Sequence, residues 1–147
     1  MKNEQPVYYL DSSLLLKRYL VEPGSEQVLK LLGTSSSIYT ASLSFAEVLC
    51  AFKRSLKTHI INEKIFQDIN LNFKTDWSTV NTLDFNHEAQ SKVSEILKRV
   101  YLRGADTVHL STALCLKQRD FPVVFGTADK QLYMAAKLMR LEVLDWE

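Results

Sequence analysis

The chain has 147 residues, enough for one ordinary domain with its own core and no need of disulfide or metal staples. Hydrophobic residues make up 46% and charged residues 24%, which excludes a disordered chain, and a formal net charge of +1 excludes nucleic-acid binding by bulk positive charge. Its apolar runs fall short of the ~20 residues of a membrane span, and no leader pattern precedes the first of them, so a reduced cytoplasmic protein is expected, with Cys50 and Cys115 as core fillers.

The first apolar run, "VYYL" at Val7 to Leu10, predicts a short buried strand, and it ends on a carboxylate, Asp11. "SSLLLKRYLVE" then reads as a helix stopped by "EPG", because a residue before proline is pushed out of the α region and Gly24 permits a turn. A second short helix is expected over about residues 25–32, ending at Gly33, and "SSIYTAS" as a strand centred on Ile38 and Tyr39. Phe45, Val48, Leu49, Phe52 and Leu56 recur at helical spacing, and Ser44 with Glu47 forms the S-x-x-E pattern of a capping box at the start of that helix. Ile61, Ile65, Ile69 and Phe73 predict a long helix, followed by "WSTVNTL" as a strand.

Ala89, Val93, Ile96, Leu97 and Val100 mark one helix from the N-cap Asn86 to a stop before Gly104, and another helix begins at about Asp106. "PVVFG" is the clearest buried strand, followed by a helix over about residues 129–140 and a short last strand, "LEVL". Strands alternating with helices predict a three-layer α/β/α sandwich with a mostly parallel central sheet. With no repeat or linker in view, residues 1–147 form one domain.

In open α/β sheets, ligands bind outside the carboxyl ends of the strands. Asp11, Glu47, Asp106 and Asp129 all sit where the chain turns into a helix at that rim, although far apart in sequence. Two carboxylates ~4 Å apart repel by about 1 to 4 kcal/mol between water and a protein surface, and a cation reverses that sign. An all-oxygen set with no Cys or His at ligand spacing suits a hard ion, Mg²⁺ or Mn²⁺, that keeps several waters and completes its shell with substrate phosphate.

Each acid also has a plain structural role open to it. Glu47 serves the capping box with Ser44, and Asp106 and Asp129 cap helices, whereas Asp11 directly after an apolar strand needs partners or solvent. His109, one turn after Asp106, reads as a packed structural residue outside the site, and His59 and His87 as solvent-facing. The pairs Lys17/Arg18, Lys53/Arg54 and Lys98/Arg99, with Arg103 and Lys130, read as solvated helix faces, some near enough to the acids to contact substrate phosphates. Tyr8, Tyr9, Phe45, Phe52 and Phe66 read as core.

Four stretches, "YYLDSSLLLKRYLVEPGSEQV", "SLSFAEV", "RGADTVHLSTAL" and "VVFGTADKQL", together resemble the PIN domain of VapC-type toxins, the ribonuclease half of bacterial and archaeal toxin–antitoxin pairs. The resemblance covers essentially the whole chain, in order. It implies a Mg²⁺-dependent endoribonuclease whose catalytic acids are Asp11, Glu47, Asp106 and Asp129, with Asp11 and Asp106 as direct metal ligands and Thr127 as the small hydroxyl ahead of the last acid. Glu47 or Asp129 would orient or deprotonate a metal-activated water, leaving 5′-phosphate and 3′-hydroxyl ends. Many members of the family carry a further acid after the last one, where this chain has Lys130, Gln131 and Leu132.

The implied partners are an RNA substrate and an antitoxin that inserts an Arg or Lys into the acids. A homodimer is also expected, from the apolar surface around Ile61, Ile65 and Phe66. Two rival functions remain at this point. A phosphoacceptor receiver domain also gathers acids at strand ends, and here "DSS" and "NTLD" stand where it needs an acid pair and an Asp; a catalytically inactive binding module would use the acids only as caps.

Overall fold

The run "VYYL" forms β1 (Val7–Leu10) in a computed structural model that describes residues 5–34 and 37–146. Ser36, the first residue of the predicted second strand, lies outside the described residues, as do residues 1–4 of the segment searched for a leader. Side chains alternate across a strand, and in β1 Val7 and Tyr9 join one apolar cluster while Tyr8 and Leu10 join another. The sheet is therefore covered on both faces.

The other strands are β2 (Ile38–Ala41), β3 (Asn81–Leu83), β4 (Val123–Gly126) and β5 (Glu142–Val143), all parallel, in the order β3-β2-β1-β4-β5. On one face lie α1 (Ser12–Leu15), α2 (Ser25–Thr34), α3 (Ser44–Lys57) and α4 (Glu63–Trp77). Their contact surface includes Leu14, Val28, Val48, Phe52, Ile69 and Phe73. On the other face α6 (Val93–Arg99), α7 (Gly104–Gln118) and α8 (Lys130–Leu138) bury Ile96, Leu110 and Leu132 against Tyr9 and Phe125, with α5 (His87–Ser91) packed on α7. This is the expected α/β/α sandwich. The observed order differs from the 2-1-3-4-5 of receiver-type sheets, which removes the phosphoacceptor reading. Among the described residues no helix is long and apolar enough to cross a membrane.

Several local expectations are corrected. The helix after Asp11 stops at Leu15 and passes into a 3₁₀ turn over Leu16–Arg18, because Lys17 turns inward instead of toward solvent. Its Nζ donates to the Pro23 carbonyl at 2.8 Å, pairs with Glu22 at 3.2 Å and lies 4.7 Å from the Trp146 ring centroid. The Ser44–Glu47 capping box does not form: Leu43 is the N-cap, the Ser44 hydroxyl bonds Thr40 Oγ1 at 2.6 Å, and Glu47 turns elsewhere.

Most of "WSTVNTL" is not strand. Trp77 closes α4 against Phe45 and Phe73, and the Ser78 and Thr79 hydroxyls donate to carbonyls of the last helical turn. The helix expected after Asn86 is broken at Lys92 into α5 and α6, although Asn86 does cap it, accepting from the Ala89 N–H at 3.0 Å. The second helix runs through Gly33 to Thr34. Cys115 is buried as expected, but Cys50 is exposed.

Candidate active site

The direction of winding reverses between β1 and β4, since β2 and β3 lie on one side of this pair and β5 on the other. The crevice at such a switch point is where open α/β sheets bind ligands. Asp11 leaves β1 and Thr127 leaves β4 on its two lips. Gly126 lets the lips close: a Cβ there would stand 2.6 Å from the Cδ2 atoms of both Leu10 and Leu14. The Asp11 N–H then reaches the Gly126 carbonyl at 3.0 Å.

Asp11 is 4% exposed, and its carboxylate is satisfied by three donors. Oδ1 accepts from Ser13 Oγ at 2.6 Å and from the Leu14 N–H at 3.1 Å, which also caps α1; Oδ2 accepts from Thr127 Oγ1 at 2.6 Å. Ser13 Oγ in turn accepts from the Ala128 N–H at 2.9 Å, so Ser13 and Thr127 stitch the ends of β1 and β4 together around Asp11. The Trp146 indole N–H donates to the Thr127 carbonyl at 2.9 Å. Burial pushes the Asp11 carboxyl above the ordinary carboxylate range; its three hydrogen-bond donors oppose it.

Asp106 lies in the first turn of α7, where the N-cap position belongs to Arg103 and no side chain caps. Asp106 therefore makes no capping hydrogen bond, and as a first-turn acid it still faces the positive end of the helix. Its carboxyl is raised, first by burial and then by the negative charges of Asp129, Asp11 and, more weakly, Glu47. Asp129, exposed, caps α8 through the Leu132 N–H at 2.9 Å, and its own N–H reaches Thr127 Oγ1 at 3.1 Å. Glu47, half-buried on α3, meets His109 Nε2 at 2.6 Å, and His109 Nδ1 meets the Tyr9 hydroxyl at 2.8 Å.

The fold thus brings the four acids into one electrostatic field at the rim, with His109 the one basic side chain in hydrogen-bond contact with any of them among the described residues. Among the described residues no three Asp, Glu, His or Cys side chains are gathered tightly enough to ligate one ion together. The donor set still fits Mg²⁺, which takes one or two carboxylates and fills its octahedron with water and phosphate, and which suits oxygen donors alone. Asp11 and Asp106 are the two acids whose charged forms the fold disfavours, and a cation beside them would relieve this.

Three residues at the site escaped the sequence reading. Ser13 had a readable signal, a serine two residues after a helix-capping aspartate, a position from which hydroxyls bond back locally. Tyr9 and His109 had none beyond burial, since the meeting of a strand tyrosine, a helix histidine and Glu47 is purely tertiary. Two of the basic residues are engaged elsewhere: Arg18 with Asp76 at 3.5 Å and Lys53 over the Phe66 ring at 5.3 Å. Arg103 and Lys130 are exposed near Asp106 and Asp129 in sequence.

Residues 8–138 match the family described as PIN domain. Over 131 residues the chain is 24% identical to Ribonuclease VapC45 of Mycobacterium tuberculosis (strain CDC 1551 / Oshkosh), covering 89% of this chain and 90% of that one. Among solved structures it is similar to FitAcB from Neisseria gonorrhoeae, with a TM-score of 0.70 at 16% identity over 95% of this chain and 97% of that one. It is also similar to VapBC2 from Rickettsia felis bound to a DNA fragment from their promoter, with a TM-score of 0.67 at 14% identity over 96% and 99%. The matched span runs from the strand before Asp11 to the last residue of the helix capped by Asp129, so it takes in all four acids. The chain belongs to the PIN domain family.

Proposed function

We propose that this chain is a Mg²⁺-dependent endoribonuclease, the toxin half of a toxin–antitoxin pair, acting in the cytoplasm. The observation that carries the reading is the shared field of Asp11, Glu47, Asp106 and Asp129 at the switch point of a PIN fold. The name of the relative Ribonuclease VapC45 supports RNA as substrate.

Asp11 and Asp106 hold the ion, Mg²⁺ or alternatively Mn²⁺. When bound, such an ion supplies an acidified water and neutralises charge at the scissile phosphate. Ser13, Thr127 and the Leu14 N–H fix the Asp11 carboxylate in one orientation, so little side-chain freedom is lost on binding. Glu47 or Asp129 orients the attacking water or takes its proton. This scheme does not use the 2′-hydroxyl as nucleophile, so the products are expected to carry 5′-phosphate and 3′-hydroxyl ends.

An antitoxin neutralises the enzyme by placing a basic side chain among these acids. A homodimer is expected from the apolar surface around Ile61, Ile65 and Phe66, of which Ile65 is 43% exposed while Ile61 and Phe66 pack in part against the core; a monomer by light scattering at micromolar concentration counts against it. The test of the function is cleavage of structured RNA by purified protein in Mg²⁺ or Mn²⁺. Loss of cleavage on adding EDTA is expected, whereas cleavage that survives full chelation refutes the metal mechanism. No cleavage under any condition favours an inactive binding module.

A further inference from the structure

We propose that Tyr9 and His109 are positioning residues for Glu47, forming a hydrogen-bond chain of fixed direction that holds one carboxylate oxygen and leaves the other for the reacting water. This rests on the ribonuclease reading for its consequence, though the chain itself is a matter of geometry. His109 is 1% exposed and Tyr9 fully buried, so each polar atom must find its partner within the protein.

The direction follows from what each group can give. A carboxylate only accepts, so the 2.6 Å contact requires a proton on His109 Nε2, donated to Glu47 Oε1. Nδ1 then faces the Tyr9 hydroxyl at 2.8 Å. If Nδ1 also carried a proton, the Tyr9 O–H would be a buried donor turned away from its acceptor. The arrangement that leaves no donor stranded has Tyr9 O–H donating to Nδ1 and Nε2–H donating to Glu47.

The chain also joins the elements that carry the acids. Tyr9 lies on β1, two residues before Asp11; its ring stacks on Phe125 of β4 with centroids 5.4 Å apart and planes 5° from parallel. His109 stands one turn after Asp106 on α7, and Glu47 is on α3. One hydrogen-bonded unit therefore ties together β1, α7 and α3, which carry Asp11, Asp106 and Glu47, and the ring stack adds β4, the strand that leads to Asp129. Groups that orient a reacting or ligating side chain in this way typically change activity by about 10- to 100-fold when removed.

The test uses the purified full chain. Long-range ¹H–¹⁵N spectra of the imidazoles should show His109 protonated on Nε2, with a low-field proton that moves upfield in Glu47→Gln. Tyr9→Phe keeps the ring stack and so should fold. Its kcat for RNA cleavage should fall by roughly 10- to 100-fold with KM nearly unchanged. His109→Leu should lose as much or more, while His109→Gln, whose carboxamide N–H can reach Glu47, should recover part of the loss. A His109 protonated on Nδ1 alone, a proton signal indifferent to Glu47→Gln, or a wild-type kcat in Tyr9→Phe overturns the proposal. If the wild type cuts no RNA, the function fails, and the spectra still decide the chain by themselves.

Discussion

Replacing Thr127 by Val removes one hydroxyl from the tightest part of the site while keeping the shape of the side chain. That hydroxyl donates to Asp11 Oδ2 at 2.6 Å and accepts from the Asp129 N–H at 3.1 Å. A hydrogen bond to a charged group contributes about 1.5 to 3 kcal/mol, and the Asp11 carboxylate, 4% exposed, has no water to replace it. At about 2 to 4 °C per kcal/mol for a chain of this length, Tm at pH 7 should drop by roughly 3 to 12 °C, measured in EDTA so that metal plays no part.

The pH dependence gives a sharper check. Burial already raises the folded Asp11 carboxyl above its ordinary value of 3.8, so between that value and the folded one the native state holds more proton than the unfolded chain. Stability is then full below the unfolded value and declines as pH rises through the folded one. Losing the Thr127 donor raises the folded value further and extends the decline. The deficit of Thr127→Val in urea denaturation should therefore be small near pH 4 and grow toward neutrality, with Thr127→Ser close to wild type. A deficit under about 0.5 kcal/mol at every pH, the range of an ordinary surface change, would refute the reasoning.

Asp106→Asn should make the metal-free protein more stable at neutral pH by on the order of 1 kcal/mol, because it removes a charge from the field of Asp129, Asp11 and Glu47 without removing a cap. Chemical denaturation in EDTA reads this, and the gain should vanish near pH 4. Gly126→Ala forces a Cβ to 2.6 Å from Leu10 and Leu14, and overpacking of that kind should cost about 1 to 3 kcal/mol in the same assay. Phe73→Ala empties the centre of the ring cluster formed with Tyr19, Phe45, Phe52 and Trp77 and should cost about 3 to 5 kcal/mol.

The sheet and the acids were legible in the sequence because their signals are local. "VYYL" and "PVVFG" are apolar runs ended by site residues, and Asn86 and Asp129 cap helices as their residue types suggest. The errors fall where tertiary contacts override local pattern. Ser44 and Glu47 have the spacing of a capping box, yet Thr40 and His109 offer buried partners, and a buried bond counts for more than an exposed cap. Lys17 has the sequence setting of a solvated lysine, yet Pro23, Glu22 and Trp146 draw its ammonium inward. Trp77 has the composition of a strand residue but finds Phe45 and Phe73 by staying helical. Position 109 reads as structural in the sequence and is buried, but no spacing rule connects it to Glu47, 62 residues away.

The most direct test of the central claim, that acids scattered through the chain form one metal site, is the dependence of Tm on Mg²⁺ in the wild type, Asp11→Asn and Asp106→Asn. A ligand that binds only the folded state stabilises it by about 2.7 kcal/mol at a hundred times its Kd. The wild-type Tm should therefore climb steadily with Mg²⁺ concentration and both variants should stay nearly flat. If both variants respond like the wild type, Asp11 and Asp106 do not hold the ion, and the metal-dependent mechanism assigned to this PIN domain is contradicted.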